Sequence, residues 1–304
     1  MAAKLRLLKY INMKTIKGYK AYEKGLVCKG FQYEVGKTYE QKESPKICDR
    51  GFHFCENPLD VLNYYNLCEC EFTEVEAEGK VDKEDDKDTK IATNKIKIGA
   101  KLDLPMFIKA SIDFVSESCK KDKKTKDDSG YSAQLASSGY SAQLASSGNS
   151  AKLASSGNYA QLASSGYSAQ LASSGNYAKL ASSGNYSQLA SSGNYSQLAS
   201  SGNSAKLASS GNYAQLASSG DYAQLASSGY SAKLELNGLK SVGANIGING
   251  IIKGKEGNWI TLAEYKKVNG KYEVVFVESV QIDGKKLKED TFYKLENKKF
   301  VEVK

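Results

Sequence analysis

The chain has 304 residues but only one His, one Trp, three Pro and three Met. A single imidazole leaves no room for multi-His metal centres, and any His-based triad would have to use His53. Six Cys in this length, with no export signal, do not make a disulfide scaffold. No apolar run approaches the roughly 18 residues that a membrane helix needs. Met1–Lys20 also lacks the continuous apolar stretch of a secretory leader. The expectation is a soluble protein of the cytoplasm with no membrane partner. Charge of one sign never accumulates either. The formal +8 is spread thinly along the chain, so the dense basic stripe of a non-specific nucleic-acid binder is missing.

What the sequence does have is a repeat. From Gly130 to Ser228 a nine-residue unit recurs eleven times without a gap, and a twelfth copy, Gly229–Asn237, begins to decay. The unit is Gly, a pair drawn from Tyr, Asn, Ser and Asp, then Ala/Ser, Gln/Lys, Leu, Ala, Ser, Ser. Nine residues cannot hold a helical hairpin, and a Ser-Ser-Gly triplet in every unit would break a continuous helix. A strand and a turn fit. Alternation puts Ala133, Leu135 and Ser137 on one face and Ser132, Gln134 and Ala136 on the other, with the turn where Gly and Asn tolerate positive φ. Units that bury their apolar face only against neighbours form a solenoid. Two units per 18-residue coil would give two small sheets, with about six coils spanning roughly 29 Å at the ~4.8 Å strand spacing.

A longer period runs inside the short one: Lys replaces Gln at Lys152, Lys179, Lys206 and Lys233, every third unit. Three units per coil would stack these ammonium groups in one repelling column, whereas two per coil would alternate them between faces. Duplication of a three-unit block explains the period without function. Calcium-binding β-rolls need carboxylate-rich turns, and only Asp221 supplies one here. A DNA mimic should be acidic, and an ice-binding face should carry ranks of one small residue. What remains is a rod displaying Tyr131, Tyr140, Tyr159, Tyr167, Tyr177, Tyr186, Tyr195, Tyr213, Tyr222 and Tyr230. With the four Lys, these are the candidate partner-binding residues, since Tyr offers contact area at little rotamer entropy. The same rings can also simply stack along the rod.

Residues 1–116 read as an α+β head. Strands are expected at Phe31–Val35, Gly51–Phe54, Glu71–Glu76 and Lys95–Ile98, and a helix is expected to start at Asn57-Pro58. A second helix is expected over Pro105–Val115. Gly79–Lys90 reads as a solvated loop, and residues 117–129 as a charged linker. Chemistry gathers only at Gly51–Pro58. Gly-aromatic-x-aromatic, followed by a helix with Tyr64 and Tyr65, resembles a piece of the nicotinamide pocket of ADP-ribosyltransferases. That resemblance implies roles for His53 and Tyr64, and for Glu76 (or Glu74) as the acid holding the ribose. The structural alternative is His53 as a hydrogen-bonded residue of a packed domain. Cys28, Cys48, Cys55, Cys68 and Cys70 lack the C-x₂-C pairs of a zinc site, so neither a metal nor a cofactor is expected.

After the repeats, residues 247–304 alternate as a small β unit that would cap the last coil, with Trp259 in its core. The fold class is therefore mainly β: an α+β head, a solenoid over 130–246 and a β cap that could also pair two copies of the chain. The segments Gly30–Glu40, Gly51–Tyr65, Thr93–Ala100, Gly257–Tyr265, Ile282–Asn297 and Phe300–Val303, with the Ser/Ala/Gly repeats between them, resemble a family of uncharacterised bacterial and prophage proteins. That resemblance implies a mobile-element setting and a non-catalytic protein that binds a host macromolecule. Its sharpest form is an inhibitor of a defence nuclease, of anti-CRISPR type, touching a host protein or ribonucleoprotein and its RNA in the host cytoplasm. The other expectations are an ADP-ribosyltransferase-like head that the solenoid targets, and a structural rod such as a phage fibre.

Overall fold

The computed structural model describes residues 15–83, 88–121, 126–127 and 130–303. It is mainly β and divides into two compact units. The first holds the described residues up to Tyr64 together with Glu71–Lys101; the second holds Tyr65–Cys70 and everything from Leu102 onward.

The first unit is a seven-stranded sheet in the spatial order Thr38–Glu40, Lys95–Leu102, Glu71–Ala77, Ile16–Tyr22, Phe52–Cys55, Lys90–Thr93, Val81–Lys83. Its centre is a strand that sequence alternation does not reveal. In Ile16–Tyr22 (IKGYKAY), Gly18 lies where a Cβ would strike Phe54 and the Cys55 carbonyl, and Lys20 turns inward. Tyr22, Tyr33, Phe54, Val75, Ile91, Ile96 and Ile98 build the core. Asn57 caps the expected helix, its Oδ1 accepting the Leu59 N–H at 3.0 Å, but the helix is a 3₁₀ turn that ends at Asn63. Gly79–Lys90 is not all loop: Val81–Lys83 and Lys90–Thr93 are strands.

The second unit is the solenoid. Every strand pairs in parallel with the strand 18 residues on, Leu153 with Leu171 and Leu162 with Leu180, so two units make each coil. Odd and even units form separate sheets. The inward face is as alternation requires: Ala151, Leu153 and Ser155 are buried, and Lys152 and Ala154 are exposed. Many inward Ser also hold their turns, as where Ser155 Oγ accepts the Gly157 N–H at 3.2 Å; Ser218 Oγ does not.

The two sheets differ outside. One is covered by helix α1 (Leu104–Lys121), whose Phe107, Ile108, Ile112, Val115 and Cys119 are buried and which packs over the strands from Gln143–Ser146 to Gln197–Ser200. Asp103 starts this helix by accepting the Met106 N–H at 2.8 Å. The helix outruns the expected Val115 because Cys119 continues its buried face. It also belongs to the solenoid unit rather than to the head, where a boundary after residue 116 would put it. Of the expected linker, residues 117–121 are helical and 126–127 form a strand; 122–125 and 128–129 lie outside the described residues. Tyr65–Cys70 lies over the same sheet: Asn66 Oδ1 accepts from Gln215 Nε2 at 3.0 Å, Glu69 pairs with Lys233, and the buried Cys68 thiol points at the Leu216 carbonyl. The other sheet is open.

The solenoid also runs further than the repeat pattern shows. Ile251–Gly254 and Trp259–Leu262 continue the two sheets in parallel, so the coils extend to Leu262 rather than ending at residue 246. Asn245 and Asn258 replace inward Ser there and bond the carbonyls of Ala232, Ile251, Leu236 and Gly238. Trp259 is not core. It occupies the outward column of Gln and Lys and is 48% exposed. Antiparallel strands then close each sheet: Lys271–Gln281 on one, Tyr293–Glu296 and Lys299–Glu302 on the other.

Corner glycines are fixed by contact rather than by φ. A Cβ on Gly202 would sit 2.0 Å from the Gly184 carbonyl oxygen, and the same clash recurs along both corners. At Gly139, where no earlier coil lies beneath, the nearest atom is Ser137 Oγ at 3.5 Å. Gly202→Ala is therefore expected to destabilise the chain by about 1–3 kcal/mol, and Gly139→Ala to leave it nearly unchanged, as read by chemical denaturation.

Candidate functional site

Positive φ at the corners belongs to the second residue after each Gly, not to the Gly itself. Tyr159, Tyr177, Tyr195 and Tyr213 stand at φ 57–59°, and Ser141, Ser150, Ser168, Ser204 and Ser231 at 52–57°. This left-handed conformation costs about 1–2 kcal/mol for a residue with a Cβ. Each such residue recovers an inter-coil bond, for example Tyr159 N–H to the Asn176 carbonyl at 2.9 Å. The Asn before it answers in the other direction, Asn158 Oδ1 accepting the Asn176 N–H at 2.9 Å. Asn176, Asn194 and Asn212 continue this ladder along one corner; Asn185, Asn203 and Asp221 do the same along the other.

The two corners carry different Tyr columns. On one, Tyr140, Tyr159, Tyr177, Tyr195, Tyr213 and Tyr230 form an unbroken ladder. Its middle rings are parallel within 7° at centroid distances of 4.8–5.0 Å. On the other corner only Tyr167 and Tyr186 touch, at 5.2 Å; Ser150 and Ser204 break the column, and Tyr131 and Tyr222 stand outside that pair. Packing within the ladder, first by burial and then by the phenols of Tyr140 and Tyr177, raises the Tyr159 pKa above its ordinary value. The rings do stack, and they stay accessible: Tyr177, Tyr195 and Tyr213 are 40%, 43% and 42% exposed.

Beside this ladder, on the open sheet, runs a groove of about 1120 Å³ floored by Ala and Ser columns from Ala136 to Ala244 and ending at Ile246. In chain order each coil presents Gln or Lys, then the groove floor, then the ladder corner. The Lys residues divide as two units per coil requires. Lys152 and Lys206 are exposed on the open sheet, whereas Lys179 and Lys233 lie on the covered one. Lys179 is buried and Lys233 is engaged by Glu69, so neither belongs to an accessible face.

In the head, two of the three candidate catalytic residues, His53 and Tyr64, are linked only through Cys48 and Lys90. His53 Nε2 accepts the Cys48 N–H at 3.1 Å, and Lys90 Nζ lies 3.0 Å from both Cys48 Sγ and the Tyr64 hydroxyl. Tyr64 in turn donates to Asp88. Glu76 stands apart. It pairs with Lys17 on the central strand while Cys55 pairs with Tyr19, so His53 is two strands and four residues away, about 16 Å. Glu76 bonds Lys17 and Lys97 instead. Lys90 and Asp88 were missed because their segment reads as loop.

Lys20 was missed as well. It is buried, bonded to the His53 carbonyl at 3.0 Å, and lies 5.3 Å from the rings of both Tyr22 and Tyr33. Burial lowers its pKa. Among the described residues no three His, Cys, Asp or Glu side chains gather as metal ligands. The cysteines are split, with Cys28, Cys48 and Cys55 in one unit and Cys68, Cys70 and Cys119 in the other. Among those residues no helix is long and apolar enough to cross a membrane.

Burial, then the charge of Lys20, holds the His53 imidazole below its usual pKa of 6.5. Its neutral form accepts the Cys48 N–H, so the stability it lends is present above pH 6.5 and is lost as pH falls through the depressed value. The melting temperature of the chain should fall on acidification across this range, and His53→Gln should flatten the drop.

Residues 16–110 are covered by DUF7666, a domain of unknown function, which takes in the sheet of the first unit and stops short of the repeats. No curated protein and no solved structure matches the chain.

Proposed function

We propose that the protein is a non-catalytic binding protein whose solenoid displays the six-ring Tyr ladder and the adjoining groove to a macromolecular partner. The observation that carries this reading is that the fold does not require the rings. Ser holds the same left-handed corner position at Ser141, Ser150, Ser168, Ser204 and Ser231 with the same backbone bonds. Stacking adds about 1 kcal/mol per pair that Ser lacks, but the Ser positions hold the same conformation and bonds without it. Yet from Tyr140 to Tyr230 every coil carries a Tyr on one corner, at the left-handed position or, for Tyr140 and Tyr230, at the residue before it. An exposed aromatic column above a small-residue groove gives a partner contact area at low entropic cost.

Lys152 and Lys206 add positive charge to the same sheet, which suits an acidic groove or a nucleic-acid backbone. The partner class that fits the family resemblance is a host protein or ribonucleoprotein, with a defence nuclease as its sharpest form.

Affinity capture from the native host, with and without RNase, tests this. One stoichiometric nuclease or ribonucleoprotein supports the reading, and RNase sensitivity shows whether RNA bridges the contact. Replacing Tyr177, Tyr195 and Tyr213 together by Ser should cost at least tenfold in affinity while leaving the far-ultraviolet circular dichroism unchanged. Full binding by that variant would remove the ladder from the interface.

A further inference from the structure

The two sheets of the solenoid are built from the same short strands, QLAS and KLAS, and only one of them is covered. Under helix α1 the outward Ala163, Ala181 and Ala199 are buried. On the open sheet the same position leaves Ala154, Ala172 and Ala190 exposed. α1 meets its sheet with Phe107, Ile108, Ile112 and Val115, all buried, and crosses strand after strand along the solenoid. Ala at each outward position is what lets these larger side chains reach the sheet.

The covered sheet also shows how its outer column of Gln and Lys is answered. Asn66 accepts from Gln215 and Glu69 pairs with Lys233, both from the segment that lies over that sheet. In the same column of the open sheet, Lys152 and Lys206 stand exposed, three coils or about 14 Å apart. Three turns of helix rise about 16 Å. Lengths agree too. The open groove passes seven Ala from Ala136 to Ala244, about 29 Å, and the 18 residues of α1 span about 27 Å. At its far end Val242, Ile246 and Trp259 replace the polar residues of the outer columns, and each is nearly half exposed. An exposed apolar cluster of this kind marks a contact surface.

We infer that the open sheet is a docking face for an amphipathic α-helix of a partner protein, laid along the solenoid as α1 lies on the other sheet. Its apolar side chains rest on the Ala floor, and acidic residues about three turns apart meet Lys152 and Lys206. This rests on the binding reading above and names the element that the partner contributes. Two exposed Lys along seven strands are too few for a phosphate backbone, so a protein helix is favoured over nucleic acid.

The test uses a synthetic peptide with the α1 sequence, Leu104–Lys121, stapled into a helix. Lys109→Glu and Lys120→Glu in the peptide place two acids on one flank, about three turns apart. Titrated against the full chain by fluorescence anisotropy, it should bind where a scrambled peptide of equal composition does not. Ala172→Arg with Ala190→Arg in the chain, on the exposed floor, should weaken binding about tenfold or more. Lys152→Gln with Lys206→Gln should weaken it about threefold. Circular dichroism of both variants should match that of the parent chain. All four substitutions sit on the open face, so a peptide that merely displaced α1 would not respond to them. Absence of binding, or binding that either pair leaves unchanged, would overturn the inference. So would single-stranded RNA bound in preference to the peptide. Capture of a partner that depends on the Tyr ladder, with no peptide binding, would keep the binding reading and remove only the helix.

Discussion

Successive coils meet so closely at the corners that the carbonyl oxygen of one glycine lies about 2 Å from where the next glycine would carry a Cβ. The rest of the solenoid depends on that approach. The 18-residue coil puts Gly at both corners, where a Cβ would not fit. It brings each Asn side chain within reach of the backbone N–H one coil on. It also fixes the spacing of the Tyr rings near 5 Å, the strand repeat itself, so the aromatic column follows from backbone contact rather than from ring attraction.

Much of this was legible in the sequence. A nine-residue period with one Leu and one Ser-Ser-Gly per unit admits a strand and a turn and little else. The inward set of Ala, Leu and Ser follows from alternation alone. Two units per coil suit the slim inward column of Leu and Ala, and charge agrees: one column of Lys152, Lys179, Lys206 and Lys233 would repel itself, and the structure alternates them. What the sequence hid is anything that depends on the neighbour 18 residues away. Adjacent units look alike, so nothing in one unit shows that Asn serves the next coil or that Tyr and Ser share one left-handed site. Nor does a unit reveal that one outer face lies under a helix.

The head was harder to read, for a different reason. Its central strand, Ile16–Tyr22, carries Gly18 and an inward Lys20, which break the alternation that marks a strand. Lys20 is accommodated by a carbonyl and two aromatic faces rather than by a carboxylate, and no local pattern announces such a site. The His53–Cys48–Lys90–Tyr64 cluster has the same character. It is assembled from a strand, a loop and a helix end that only the sheet order brings together. Glu76, chosen by analogy with a pocket, shares the sheet but lies two strands from His53.

The division of labour that follows is a domain of unknown function and a solenoid whose repeats are uniform inside and selective outside. Inside, Leu, Ala and Ser recur along the repeats, with Gly at the corners. Outside, one corner keeps Tyr although Ser can hold the same left-handed position. Hydroxyl-radical footprinting of the chain, free and bound to its captured partner, addresses that contrast most directly. Protection concentrated on Tyr159, Tyr177, Tyr195 and Tyr213, with Tyr131 and Tyr222 unchanged, is the predicted result. Protection confined to the head, with the ladder as reactive as in the free chain, would contradict it.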